Sequence, residues 1–333
     1  MESDMLVLDE KAMRSCVTCH DMIESVEKAF LLYAQKECNM IARMIASFGD
    51  NTMIYMPCQA DGLIGTKILA EFPENSKHGL PYLNGIMILN DENNGKICAI
   101  MDGSVLTALR TGAIGGLAAR SFSCKKAQSL GLIGCGVQGL HQLMFVLSVR
   151  KINRIYLYNR GEKDYGAFMQ NLKALTGIED MTYIICRSAD EVLKSSEIII
   201  TATQSRVPLF QNEEKLFYGK CIIAIGSWRP FMRELPDAAF RAAERIITDL
   251  PFALDESGDF TQTIEAGIVD KEQIEFMGDV LLENKEINKL DKRKTIIYKS
   301  VGMSVLDVVA AKKIYCRAKA CGAGTLCDSF GMP

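Results

Sequence analysis

The stretch Ser129-Leu130-Gly131-Leu132-Ile133-Gly134-Cys135-Gly136-Val137-Gln138-Gly139 places Gly134, Gly136 and Gly139 at G-x-G-x-x-G spacing, after an apolar strand-like run and before a helix-like one. Each glycine answers a separate mechanical need. The first allows a tight turn, the second lets a pyrophosphate approach the backbone, and the third lets helix and strand pack closely. The helix beginning near Val137 then offers its unpaired amides and positive end to an anion, so a dinucleotide is the expected ligand. From Ala127 onward strand-like and helix-like segments alternate, which predicts an α/β fold with a Rossmann-type doubly wound parallel sheet. Strands are expected at 128–133, 154–158, 182–186, 197–202, 220–225 and 245–249, with the nucleotide across their carboxyl ends.

Asn159 follows the second of these strands, at the spacing where a carboxylate accepts hydrogen bonds from the ribose 2′-hydroxyl of NAD. No carboxylate stands there. Asn159 and Arg160 leave an uncharged donor and a cation for a 2′-phosphate, so NADP(H) is expected to be preferred, with NAD(H) second.

A chain of 333 residues has room for two domains, and 48% hydrophobic with 24% charged residues argues against disorder. A net charge of −3 gives no general attraction for nucleic acid or an anionic membrane. Acidic residues interrupt the amino terminus (Glu2, Asp4, Asp9, Glu10) and no apolar run reaches spanning length, so a cytoplasmic protein is expected, with small molecules and another chain as partners. The twelve cysteines are scattered, several in apolar runs (Cys98, Cys186, Cys221), as reduced thiols filling a core would be. Cys16-Val17-Thr18-Cys19-His20 matches haem-attachment and redox patterns, but it leads into an amphipathic helix and is read as coincidence. His78 and His141 lack ligand partners at metal spacing, so no metal site is expected.

Before residue 127, strand-like pieces at 52–56, 63–68, 85–90 and 97–101 predict a mostly antiparallel sheet, with a hairpin loop at 91–95. A helix is expected over 107–122, where Gly112, Gly115 and Gly116 imply close approach by another backbone or a ligand. A helix over 304–319 is expected to return to this sheet, giving a discontinuous domain of 1–126 and 304–333 around a nucleotide domain of 127–303. The tail beyond Cys321 is expected to be mobile. Arg43, Lys67, Asn84 and Arg110 stand out as polar positions in apolar surroundings. Two arginines suit bidentate capture of a carboxylate, although each taken alone also fits a structural ion pair.

Several stretches together resemble the ornithine cyclodeaminase/mu-crystallin family. They are Leu80-Pro81, Ile88-Leu89-Asn90-Asp91, Met101 through Ala113, Gly134-Cys135-Gly136-Val137-Gln138, Lys299-Ser300-Val301-Gly302-Met303 and Asp307 through Lys312. The likeness spans nearly the whole chain. It implies a homodimer, a split α+β substrate/dimerisation domain, and a Rossmann domain holding NAD(P)(H). Carried over position by position, Arg43 and Arg110 match carboxylate-binding arginines and Lys67 the active-site lysine. Thr111 matches a phosphate contact, Ser300 and Gly302 the segment beside the nicotinamide, and Asn84 a position that often holds a small polar residue.

One departure bears on activity. Cyclodeaminases and the alanine dehydrogenase branch usually carry Asp two residues after the glycine equivalent to Gly226, and here Trp228 stands there. Trp228 cannot accept the protons that cyclisation with ammonia loss must move. The chain therefore resembles the ketimine reductase and pyrroline-2-carboxylate reductase side of the family. This implies reduction of a cyclic imino acid by NAD(P)H, with Arg43 and Arg110 on its carboxylate, Lys67 exchanging a proton and Trp228 as an aromatic wall. Amino acid dehydrogenation of a linear 2-oxo acid, cyclodeamination and non-catalytic ligand binding are the alternatives.

Overall fold

The computed structural model describes residues 4–283 and 294–328, and the chain divides into two compact units. One comprises the residues up to Arg110 and from Met303 onward; the other is Thr111–Gly302. The first division falls inside a continuous helix, Gly103–Phe122, rather than at 126/127. The helix runs through that point unbroken, so local sequence carries no mark of it.

In the first unit, β1 (Asp4–Leu8), β2 (Cys38–Met40), β3 (Met44–Phe48), β4 (Asn51–Ala60), β5 (Leu63–Glu71), β6 (Leu83–Asp91), β7 (Ile97–Asp102) and a terminal strand, Thr325–Asp328, form one sheet. Its order is terminal strand, β1, β7, β6, β5, β4, β2, with β3 also on β4. Only β1 with β7 is parallel among these pairs. The terminal strand corrects the expectation of a mobile tail for Thr325–Asp328; residues 329–333 of that tail lie outside the described residues. Leu326 and Cys327 pair with Leu6 and Met5, so main-chain hydrogen bonds to a strand from the opposite end of the sequence order it.

Residues alternate between buried and more exposed along β4 and β5, so one face of the sheet carries the core. The helix Ser304–Cys321 packs on β4 and β5. A Cβ on Gly65 of β5 would come within 2.7 Å of the Val308 side chain, so this glycine sets how closely the helix can approach. The Cys-x-x-Cys-His stretch is the junction between α1 (Glu10–Cys16) and α2 (Cys19–Ala34), where Thr18 and Asp21 form a capping box. α3 (Gly103–Phe122) is capped by Asp102, whose carboxylate accepts from the amides of Ser104 and Val105.

In the second unit, β8 (Ser129–Ile133), β9 (Arg154–Tyr158), β10 (Thr182–Ile185), β11 (Ile198–Thr201), β12 (Cys221–Ala224), β13 (Ala243–Thr248), β14 (Ile274–Phe276) and β15 (Thr295–Lys299) form a second sheet. The order is β10-β9-β8-β11-β12-β15-β13-β14 and every pair is parallel. The chain leaves β8 first toward β9 and β10 and later toward β11 and β12. The switch point therefore lies between β8 and β11, the place where open α/β sheets bind ligands. α4 (Val137–Val149) follows β8 and packs against the glycines of α3. A Cβ at Gly112 would fall 2.5 Å from the Phe145 ring, and one at Gly115 only 1.7 Å from Gln142 Oε1. Among the described residues no helix is long and apolar enough to cross a membrane.

Candidate active site

In the first unit the sheet and its covering helix bring three charged side chains together in the interior. Lys67 shares with Gly65 the face of β5 that meets the helix Ser304–Cys321, and its Nζ donates to Asp307 Oδ1 at 2.6 Å. Arg110 Nε donates to the same oxygen at 3.0 Å. Lys67 and Asp307 are fully buried and Arg110 nearly so. Burial pushes the Lys67 ammonium down to about 7; Asp307 opposes this, while Arg110 and Arg43 add to it. Asp307 Oδ2 is buried with no hydrogen-bond partner among the described residues. A carboxylate shared by two cations, with a third cation acting on them, is suited to hold an anionic ligand and to trade a proton near neutral pH.

Arg43 lies half-buried in the segment joining β2 to β3, within electrostatic reach of Lys67. Asn84 is placed elsewhere. The register pairs it with Ala70, whereas Lys67 pairs with Met87, so Asn84 projects from the opposite face of the sheet. Its side chain is exposed and its Nδ2 donates to the Pro81 carbonyl at 3.3 Å. The structure thus does not bring Asn84 to the Lys67 cluster; strand period and register, which spacing alone does not reveal, decide its face.

In the second unit the three glycines of the β8–α4 turn meet distinct constraints. Gly134 has φ +98°, and a Cβ there would lie 2.4 Å from the Ala202 carbonyl oxygen. A Cβ on Gly139 would lie 2.2 Å from Gly134 O, so helix and turn touch at that point. At Gly136, the N-cap of α4, a Cβ would meet nothing within 4 Å. That open space lies at the helix start, beside exposed Val137 and half-buried Gln138, whose Oε1 is buried without a partner. The turn fits a pyrophosphate, with the first amides of α4 as its donors. Thr111, nearly buried, passes its carbonyl to Gln142 Nε2 at 2.6 Å, which fastens α3 to α4.

Asn159 braces this turn. Its Oδ1 accepts from the Cys135 amide at 3.1 Å and its Nδ2 donates to the Gly161 carbonyl at 3.1 Å. Arg160 beside it is exposed. Asn159 therefore shapes the loop with the amide that the sequence suggested for a phosphate, and Arg160 is the cation left at the surface.

The remaining expected positions lie past the carboxyl ends of β12 and β15. Ser300 Oγ and the amides of Val301 and Gly302 all donate to Asp249 Oδ2, at 2.8, 2.9 and 2.7 Å. Gly302 has φ +76°, which suits glycine. Trp228 is half-buried, with the Arg229 guanidinium 4.3 Å from the centre of its ring. Its loop is fixed by Glu234, whose carboxylate accepts from Thr201 Oγ1, Thr203 N, Thr203 Oγ1 and Gly226 N. Burial drives the Glu234 carboxyl up and the nearby Lys299 ammonium down, and Lys299 stands 3.7 Å from Asp259.

Three carboxylates escaped the sequence reading as site components: Asp307, Asp249 and Glu234. The one usable signal was a lone acid inside an apolar run, clearest in Val305-Leu306-Asp307-Val308-Val309. Their partners lie far along the chain, so spacing could not name them.

Comparison with known proteins identifies the family and the fold. The model of the ornithine cyclodeaminase/mu-crystallin family matches residues 2–322. A Delta(1)-pyrroline-2-carboxylate reductase of Bacillus cereus is 33% identical over 326 residues, covering 96% of this chain and 98% of that protein. Among solved structures, Thermococcus litoralis Delta(1)-pyrroline-2-carboxylate reductase in complex with NADH and L-proline superposes with TM-score 0.88 at 30% identity, covering 96% and 99%. An archaeal alanine dehydrogenase dimer with bound NAD gives TM-score 0.86 at 26% identity, covering 97% and 99%. With its glycine turn, doubly wound sheet and family-wide match, this chain belongs to the ornithine cyclodeaminase/mu-crystallin family.

Proposed function

We propose that this chain is an NAD(P)H-dependent oxidoreductase that reduces a cyclic ketimine bearing a carboxylate on the C=N carbon to the cyclic amino acid. 1-Pyrroline-2-carboxylate and 1-piperideine-2-carboxylate are substrates of this kind. The buried Lys67–Asp307–Arg110 cluster carries the reading, because it pairs anion-binding charge with a group titrating near 7. The relatives named as pyrroline-2-carboxylate reductases support it.

Arg110 is held through Nε by Asp307, so its terminal nitrogens remain for a substrate carboxylate, with Arg43 as the second cation. Lys67 gives its proton to the imine nitrogen, which makes the adjacent carbon the better acceptor. Trp228 offers an aromatic face to a flat ring. When bound, the reduced nicotinamide supplies the hydride. The β8–α4 turn would hold its pyrophosphate, Asn159 and Arg160 border the adenosine ribose, and Ser300–Gly302 lie on the nicotinamide side. Arg160, next to Asn159 rather than a carboxylate, is the basis for preferring NADPH. In this reading Thr111–Gly302 is the nucleotide unit and the other unit serves substrate binding and dimerisation. Met44, Phe48, Ile64 and Ile86 are exposed on the sheet and suit a second copy of the chain.

Steady-state assays with NADPH and NADH test the proposal, using five- and six-membered cyclic imino acids, ornithine, and pyruvate with ammonium. Turnover of a cyclic imine without ammonium is expected. Turnover confined to pyruvate with ammonium would replace this reading with an amino acid dehydrogenase.

A further inference from the structure

Asp249 follows β13 directly, and Ser300 follows β15, the parallel neighbour of that strand. The register pairs Thr248 with Lys299, so Asp249 and Ser300 leave the sheet side by side at its carboxyl edge, where open α/β sheets hold their ligands. From Ser300 to Gly302 the main chain is neither helix nor strand, and the nucleotide unit ends with it. Amides in such a segment must find partners outside regular structure. Asp249 supplies them. Its Oδ2 accepts from Ser300 Oγ and from the Val301 and Gly302 amides, while its Oδ1 accepts from Tyr298 Oη. The left-handed backbone of Gly302 suits the convergence of successive amides on one oxygen, as in the nests that hold anions. Ser300 has further anchors, its amide on the Ala224 carbonyl at 3.0 Å and its carbonyl on Lys299 Nζ at 3.4 Å. Asp249 therefore matters most for the course of Val301 and Gly302. The carboxylate is fully buried, so it has no open side for a ligand and acts on one through the segment it holds.

We propose that Asp249 is a positioning residue for hydride transfer, fixing the main chain at 300–302 so that a nicotinamide ring beside it is held in one place. This rests on the reading that Ser300–Gly302 lie on the nicotinamide side of a bound dinucleotide. Transfer to the imine carbon requires donor and acceptor carbons aligned at contact distance, and a displacement of about 1 Å costs about a hundredfold in rate. Without the carboxylate, two amides and a hydroxyl lose their common acceptor. The segment then settles on other partners, and the ring loses its fixed support.

The test compares NADPH with 2′-phospho-ADP-ribose, the same dinucleotide without its nicotinamide, by calorimetric titration of the full-length protein. Asp249→Ala is expected to weaken NADPH about five- to fifty-fold and the fragment less than about twofold. Single-turnover oxidation of bound NADPH by 1-pyrroline-2-carboxylate is expected to slow about ten- to a hundred-fold. Asp249→Asn keeps an oxygen where the three donors converge, and should return affinity and rate to within about fivefold of wild type. Asp249→Ser, which can still accept a hydrogen bond, replaces the alanine variant if that variant lacks native circular dichroism. Retained affinity for the fragment, with either weaker NADPH binding or slower transfer, supports the proposal. Equal weakening of both ligands would show a merely structural carboxylate and overturn it, as would unchanged NADPH affinity and rate, or failure of both variants to fold. Wild-type protein that binds neither NADPH with its fragment nor NADH with ADP-ribose would overturn the nucleotide reading itself.

Discussion

Lys67 Nζ and Asp307 Oδ1 stand 2.6 Å apart, with both side chains sealed from solvent. The contact ties the middle of a strand to the first turns of a helix 240 residues later in sequence. Such a pair is a poor investment for stability alone, because desolvation of two ions consumes most of their attraction. In the proposed reaction the pair has another use, holding and orienting the group that gives up a proton.

The first expectation concerns pH. A lysine acting as acid must be protonated, so its contribution is present below its pKa and is lost as pH rises through it. kcat/KM for a cyclic imine should fall about tenfold per pH unit above about 7. In Asp307→Asn the charge that opposes burial is gone, so the kcat/KM limb should move below the wild-type position. Activity at pH 8 should drop about ten- to a hundred-fold, and less at pH 6. A full pH profile of both proteins checks this; an unmoved limb would show that Asp307 does not govern Lys67.

Gly136 and Gly139 of the nucleotide turn should respond in opposite ways. Gly136→Ala meets open space, so it should cost under about 1 kcal/mol of stability, yet weaken NADPH binding at least about tenfold by filling the anion's place. Gly139→Ala collides with the Gly134 carbonyl and should cost about 1–3 kcal/mol. Urea denaturation alongside NADPH fluorescence titration separates the two effects.

Cofactor choice should be carried by charge at the end of β9. Arg160→Ala should lower kcat/KM with NADPH about tenfold and leave NADH nearly unchanged. Asn159→Asp should also disfavour NADPH, by repulsion of the 2′-phosphate. The ratio of kcat/KM for the two cofactors in each variant is the measurement. An unchanged ratio in Arg160→Ala would remove that residue from selectivity.

Glu234 should matter for stability as much as for turnover. Glu234→Ala removes four hydrogen-bond acceptor contacts and one of the carboxylates whose charge acts on buried Lys299, so a loss of about 3–5 kcal/mol is expected by urea unfolding. A loss below about 1 kcal/mol would mean that water replaces the carboxylate without cost.

Much of this was legible in the sequence because local chemistry dictated it. The strand Arg154–Tyr158 has the bounds its apolar run implied, and the strand–turn–helix around Gly134 needed no distant partner. The long helices at Gly103–Phe122 and Ser304–Cys321 were visible, although somewhat longer than expected. What stayed hidden depended on pairing across the chain. Asp4–Leu8 is held between β7 and Thr325–Asp328, which has Asp4–Leu8 as its partner, and neither segment is long enough to announce itself alone. Asn84 shares the apolar neighbourhood of Lys67 in sequence, but the register of β5 and β6 turns it to the other face. Asp307 stands within one of the family-like stretches, while its contact with Lys67 forms only when helix and sheet meet.

The strand Thr325–Asp328 shields one margin of the first sheet, since β1 has β7 on its other side. A shortened protein ending before Thr325 would leave a row of main-chain donors and acceptors open to any extended chain that came near. Such a truncation removes none of the residues proposed for the chemistry and is expected to clump in solution before it loses its ability to react.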